Sequence, residues 1–163
     1  MPVISLEPYT SAELLDLHAA ITLELGQRGV LRSANNPTGD LAEYLFCEAF
    51  GWKQAQNSES GFDATGPDGI RYQIKSRRLH QKNTSRQVSA LRQLETEPFD
   101  ILAGVLFAPD YTIQRAALIP ISVVREHARY RKHTNAHVFH LRDAVWDLAE
   151  VEDVTDALRA VVL

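Results

Sequence analysis

The sequence has little of what an extracellular, membrane-bound or disulfide-stabilised protein would need. Cys47 is the only cysteine, which excludes an internal disulfide and a zinc site built from several cysteines. The longest unbroken apolar run, Ile101 to Ala108, has eight residues and is too short to span a bilayer. The first residues show no basic segment and no long apolar stretch, so no secretory signal is expected. We therefore expect a cytoplasmic protein with no membrane partner.

The sequence also lacks an overall basic composition, which is the usual sign of a nucleic-acid-binding protein; its net charge is −4. The average conceals one basic segment. Residues 71–92 contain seven lysines and arginines and no acidic residue, whereas residues 1–68 contain ten acidic and three basic residues. Such a segment is either an anion-binding region or a solvated loop. The length of 163 residues suits a single domain, residues 1–163.

Periodicity and turn residues predict an α/β protein in which a mixed sheet is flanked by helices. Thr10 and Glu13 have the spacing of a capping box at the start of a first helix. Pro37 opens a second helix that Gly51 ends. A hairpin turns at Pro67-Asp68-Gly69. The remaining predicted elements are strands at 99–108 and 111–119, a helix at 121–131, a strand at 138–141 and a last helix capped by Asp153.

The strand that follows the predicted turn carries the residues with the most informative chemistry. Gln73 and Lys75 are two residues apart and so point to one face, while Asp63 lies across the hairpin and Glu43 on the preceding helix. Carboxylate and amide oxygens are ligands that Mg²⁺ accepts, and a lysine can orient water and stabilise charge on a phosphate. This set predicts phosphodiester hydrolysis. The same alternation also occurs on an edge strand with a solvated lysine.

The order of Glu43, Asp63 and Gln73-x-Lys75 resembles the PD-(D/E)XK, or restriction-endonuclease-like, nuclease superfamily. It is closest to members with Gln-x-Lys, such as the Mrr-type methylation-dependent restriction endonucleases. A longer likeness, to an uncharacterised bacterial family of similar length, includes Asn36-Pro37-x-Gly39-Asp40-x-Ala42-Glu43, Asn57-Ser58-Glu59 and Phe99-Asp100. The resemblance implies a central mixed sheet with an αβββαβ core. It also implies that Glu43, Asp63 and Gln73 bind Mg²⁺ or Mn²⁺, and that Lys75 is the catalytic lysine.

The function that this resemblance implies is Mg²⁺-dependent hydrolysis of DNA phosphodiester bonds in restriction or defence. The basic residues expected to contact nucleic acid are Arg32, Arg71, Arg77, Arg78, Lys82 and Arg86. We expect no separate DNA-reading domain here, unlike in the Mrr-type enzymes, so that sequence specificity is either absent or supplied by a separate protein. A homodimer would suit cleavage of both strands.

One departure from the family pattern keeps an alternative open. Gln73 replaces the usual acidic residue and removes one negative charge from the metal site. The alternative is a non-catalytic module on the same fold that binds nucleic acid or a partner protein.

Three histidines form a weaker pattern. His133, His137 and His140 have spacings that would suit a metal site on one helix. Thr134-Asn135 predicts a turn, however, and the following residues predict a strand. Separate solvated or capping histidines are therefore favoured over a metal site.

Overall fold

The computed structural model describes residues 4–56 and 61–163 and forms a six-stranded mixed sheet with helices on both faces. The α/β class and the mixed sheet are therefore confirmed. The predicted Asn57-Ser58-Glu59 likeness lies outside the described residues. The helices are α1 (Ser11–Gln27), α2 (Thr38–Phe50), α3 (Ile121–His127) and α4 (Thr155–Arg159). The strands are β1 (Lys53–Gln54), β2 (Ala64–Thr65), β3 (Arg71–Arg78), β4 (Ile101–Phe107), β5 (Ile113–Pro120), β6 (Arg129–Arg131), β7 (Ala136–Val138) and β8 (Glu152–Asp153).

The main sheet has the strand order β1-β2-β3-β4-β5-β8, and a separate two-stranded sheet pairs β6 with β7. Only the β3–β4 pair is parallel among these described strands. A parallel pair needs a crossover connection, which here is residues 79–100. The predicted αβββαβ core places an α-helix in this connection. Instead, the crossover contains one short 3₁₀ turn, Leu94–Thr96, and is held by the buried side chains of Val88, Leu91 and Leu94.

The sheet separates two hydrophobic cores because successive residues of a strand face opposite sides. On one face, Tyr72 and Ile74 of β3 pack with Leu45 and Phe46 of α2 and with Leu158 of α4. On the other face, β4 and β5 residues pack with Val123 and Val124 of α3 and with the crossover. The predicted alternation in β3 is confirmed, since Tyr72 and Ile74 are buried while Gln73 and Lys75 are half-buried.

Several local predictions are confirmed in detail. Thr10 and Glu13 form both hydrogen bonds of the capping box at the start of α1. Gly51 ends α2 in the left-handed region, at φ 64°, where a side chain would be strained. Gly69 in the hairpin turn has φ 83° for the same reason. Cys47 lies in α2 and is partly buried against the core.

Other predictions were wrong or incomplete. The predicted helix over 121–131 ends at His127, because Ala128 is extended and Arg129–Arg131 pairs with β7. The strand expected at 138–141 lies instead at Ala136–Val138. Apart from these elements, α1 contains no buried residue, so its apolar residues are largely exposed. Within residues 4–56 and 61–163, none of the helices combines the length and apolarity required to cross a membrane.

Candidate active site

An aromatic stack fixes α2 against the sheet and thereby positions Glu43. The ring of Trp52, which follows α2, lies 5.7 Å from Phe46 and 3.6 Å from Tyr72 of β3, measured between ring centroids. Phe50 stacks on the same indole at 5.1 Å. Stacked rings bury a large apolar area and prefer few relative orientations. The helix that carries Glu43 is thus attached directly to the strand that carries Gln73 and Lys75.

Asp63 occupies the point where the β2–β3 ladder stops. Its backbone N–H donates to the carbonyl of Tyr72 at 2.7 Å. At the next position along β3, no residue of β2 is paired with Ile74. The Asp63 side chain takes that place, since its Oδ2 accepts a hydrogen bond from the backbone N–H of Ile74 at 2.7 Å. The Asp63 carboxylate is therefore held at the open edge of β3.

Two β3 side chains converge on the same carboxylate oxygen. The amide Nε2 of Gln73 donates a hydrogen bond to Oδ2 of Asp63. The Lys75 ammonium lies 3.9 Å from that oxygen, a salt bridge in which the Lys75 and Asp63 side chains are 20% and 26% exposed. The structure thus brings together three of the four residues predicted from the sequence, in a half-buried position that solvent can still reach.

Glu43 approaches from the α2 side. Its Oε2 accepts a hydrogen bond from Nε2 of Gln54 at 2.6 Å and lies 3.4 Å from Nη1 of Arg32. Burial raises the pKa of the Glu43 carboxyl, the hydrogen bond from Gln54 lowers it, and the negative charge of Asp63 raises it further; the net shift is upward. The two carboxylates therefore influence each other electrostatically. Sequence reasoning missed Gln54, whose two-residue strand has no periodicity.

The upward pKa shift of Glu43 predicts a pH-dependent stability difference. Replacing Glu43 by glutamine keeps an acceptor for Gln54 but removes the buried charge. When an acid has a raised pKa in the folded state, the folded protein binds more protons than the unfolded chain and loses stability as pH rises. Wild type should therefore lose stability relative to Glu43→Gln as pH rises through and above the ordinary glutamate pKa. Urea unfolding of both proteins at acidic and neutral pH measures this difference. Parallel stability curves would contradict the prediction.

The donor set fits a hard divalent cation that keeps most of its waters. Mg²⁺ commonly takes one or two carboxylates and completes its coordination with water. Glu43 and Asp63 supply two carboxylates, and a turned amide of Gln73 would supply a neutral oxygen. No group of three or more His, Cys, Asp or Glu side chains suited to a metal occurs within the described part of the chain. Cation binding at this site would therefore depend on both carboxylates.

A polar cleft of about 360 Å³ adjoins this site, between the start of α2 and the end of β3. Its lining comprises Asn36, Thr38, Gly39, Ser76, Arg77, Arg78, His80 and Asn83, with no acidic residue. Arg78 lies 4.5 Å above the ring of Tyr111, and Arg77 donates to the carbonyl of Ser85. A helix start with two arginines beside it is suited to phosphate groups.

The other predicted nucleic-acid contacts are placed differently. Arg71 donates to both carboxylate oxygens of Asp100 and to the carbonyls of Glu97 and Pro98. Arg86 pairs with Asp143, and Arg32 lies beside Glu43. Lys82 is exposed in the crossover. The role of these residues in binding nucleic acid stays a prediction, and the structure gives Arg71 a separate role in joining the starts of β3 and β4.

The three histidines do not form a common site. His133 lies in a 3₁₀ turn, His137 in β7 and His140 beyond that strand. The Nε2 of His137 lies 3.5 Å from the carboxylate of Glu95 instead.

Comparison with known proteins assigns this chain to no family. No protein-family model matches this sequence, and no curated protein matches it significantly.

Proposed function

We propose that this protein is a Mg²⁺-dependent endonuclease with a restriction-endonuclease-like fold that hydrolyses DNA phosphodiester bonds. One observation carries the proposal: Asp63, Gln73 and Lys75 converge at the open edge of β3, and Glu43 on α2 is near enough for the charge of Asp63 to raise its pKa. The strand order agrees in part, because a helix and three antiparallel strands precede a parallel fourth strand, although a 3₁₀ turn stands where the αβββαβ core has its second helix.

Each residue of the site has a distinct role in this proposal. Asp63 and Glu43 would hold the cation, which when bound would lower the pKa of a water and offset negative charge on the phosphate. Gln73 fixes the orientation of the Asp63 carboxylate through its amide. Lys75 carries a positive charge at the same oxygen and would orient the attacking water or stabilise the charge that develops on the phosphate.

The neighbouring cleft supplies a path for the DNA backbone. Arg77 and Arg78 follow Lys75 along β3, so phosphates held at the cleft would lie within a few residues of the site. Thr38 and Gly39 at the start of α2 line the same cleft, and the positive end of a helix dipole favours anions.

The experiment that tests this function is cleavage of supercoiled plasmid with Mg²⁺, Mn²⁺ or EDTA. We expect nicking in either metal and none in EDTA. Replacing Lys75 by methionine, which keeps the side-chain length and removes the charge, should lower the rate by about 10²–10³-fold. Lys53→Met makes the same change on the exposed residue of β1 and should cut like wild type. Cleavage in EDTA, or a Lys75→Met protein as active as the Lys53→Met control, would contradict the proposal.

Phosphate contacts at the cleft predict a change in salt dependence. Each phosphate neutralised by a cationic side chain adds about one unit to the slope of log binding constant against log salt concentration. Arg77→Ala and Arg78→Ala should each reduce that slope by about one unit. Fluorescence anisotropy with a labelled duplex in EDTA, over a range of salt concentrations, measures it without cleavage. Arg28→Ala, which removes an exposed arginine of the α1 end paired with Glu24, is the control and should leave the slope unchanged.

A second candidate is a nucleic-acid-binding module without catalysis. It is favoured by the amides of Gln54 and Gln73, which already donate to the two carboxylates that would bind the metal. This candidate predicts duplex binding of the same strength with Mg²⁺ or EDTA, and no cleavage in any metal.

A further inference from the structure

The arginines of this protein differ in whether they contact a carboxylate. Seven contact a carboxylate: Arg28, Arg32, Arg71, Arg86, Arg115, Arg125 and Arg159. The other six have no carboxylate partner among the described residues, and one of them, Arg92, lies in a cleft with Glu95 and His137. Two of them, Arg77 and Arg78, belong to the cleft beside the candidate active site. Three others, Arg129, Arg131 and Arg142, line a single separate cleft of about 440 Å³.

The β6–β7 hairpin explains why these three arginines meet. Alternate residues of a strand point to the same side, so Arg129 and Arg131 face one way. Val138 lies opposite Arg129 in the hairpin register, and His140 and Arg142 follow Val138 at two-residue steps. All five of these residues line the cleft. Neither this hairpin nor the cleft shares a residue with the candidate active site.

The cationic side of the cleft has no internal counter-charge. The guanidinium groups of Arg129, Arg131 and Arg142 make no hydrogen bond or ion pair with any residue in the ranges 4–56 and 61–163. No acidic residue is among those that line the cleft. Burial lowers the pKa of His140, and the charges of Arg142, Arg129 and Arg131 lower it further. All three arginines are therefore close enough to His140 to act on its ring electrostatically.

Part of the cleft lining is apolar. Val138 and Leu148 are half-buried and form what we call the apolar floor of the cleft, whereas Phe139 and Val145, at 1% and 7% exposed, belong to the core beneath it. A volume of about 440 Å³ lies in the range of small-ligand sites. Three unpaired guanidinium groups above an apolar floor suit a ligand that has both phosphate groups and an apolar or aromatic part.

We propose that this cleft binds a phosphate ester, with its phosphate groups on Arg129, Arg131 and Arg142 and its organic part on the apolar floor of Val138 and Leu148. The same chemistry is present in a free nucleotide and in a nucleic-acid strand. The proposal concerns a site separate from the candidate active site and holds whether or not the protein cleaves DNA.

Isothermal titration of the purified protein in EDTA tests it with four probes: pyrophosphate, ADP, citrate and a short DNA duplex. We expect ADP to bind more tightly than pyrophosphate because of the apolar floor, and citrate to bind least. The Arg129→Ala/Arg131→Ala variant should weaken ADP binding at least tenfold, and so should Arg142→Ala. Arg125→Ala is the control. It removes an arginine of α3 that is paired with Glu97 and does not line the cleft, and it should bind ADP as wild type does.

The probes also separate the two sources of phosphate. Binding of the duplex but not ADP, lost in the double variant, would identify a nucleic-acid strand as the source. The proposal is overturned if neither ADP nor the duplex shows binding that the double variant loses, or if Arg125→Ala weakens binding as much. Arg129→Lys/Arg131→Lys, which keeps the charge, should retain part of the affinity and would show that a loss in the alanine variant is not unfolding.

Discussion

Asp63→Asn is expected to lower plasmid cleavage by more than about 10³-fold while leaving the fold intact. Asparagine keeps the size of the side chain and an oxygen that can accept from the backbone N–H of Ile74. It removes the negative charge that forms a salt bridge with Lys75 and that would bind the divalent cation. Because Gln73, Ile74 and Lys75 all meet this carboxylate, its charge is the feature on which the whole arrangement depends.

The rate should be measured with supercoiled plasmid in Mg²⁺, and folding checked by circular dichroism and thermal unfolding. Asp110→Asn is a matched control, since Asp110 also accepts hydrogen bonds from a neighbouring backbone N–H, that of Thr112, but lies in the β4–β5 turn. This control should cut at the wild-type rate. An Asp63→Asn protein that cuts as fast as Asp110→Asn would remove Asp63 from the active site.

Trp52→Ala should produce the largest loss of stability among the changes considered. The indole is 8% exposed and stacks on three rings, those of Phe46, Phe50 and Tyr72. Removing a buried aromatic side chain of this size lowers the free energy of unfolding by about 3–5 kcal/mol. For a domain of this length, the corresponding fall in Tm is roughly 10 °C.

Urea unfolding followed by far-ultraviolet circular dichroism measures this loss without relying on tryptophan fluorescence. Trp52→Phe keeps a ring in the stack and should lose clearly less stability than Trp52→Ala. A Trp52→Ala protein within about 1 kcal/mol of wild type would show that the stack contributes little. It would also mean that the position of α2, and with it Glu43, is set by the aliphatic contacts alone.

The parts of the site that the sequence predicts are those formed by neighbours along the chain. Asp63, Gln73 and Lys75 belong to one hairpin, where the turn at Pro67-Asp68-Gly69 and the alternation in β3 determine which side chains face each other. The helix pattern could place Glu43 on α2 but could not predict its position relative to the hairpin. Its contact with Gln54 depends on how α2 packs on β1, which a local pattern does not contain.

The elements that were predicted incorrectly are those in which packing between distant residues overrides local preference. Residues 121–131 have the composition of a helix, yet Arg129–Arg131 forms a strand because it pairs with Ala136–Val138. This pairing also creates the arginine-lined cleft, which sequence reasoning missed. Likewise, the bidentate contact of Arg71 with Asp100 joins residues that are 29 apart in sequence. Residue spacing gives no sign of such a contact.

The partial burial of Cys47 has a practical consequence for chemical labelling. Burial, together with the nearby charges of Glu43 and Glu48, raises the pKa of this thiol to about 11. Alkylating reagents attack the thiolate, which is therefore scarce at neutral pH. A cysteine introduced at an exposed position such as Lys82 would react with maleimide far faster than the native thiol. A fluorophore could thus be attached to the crossover beside the basic cleft without first removing Cys47.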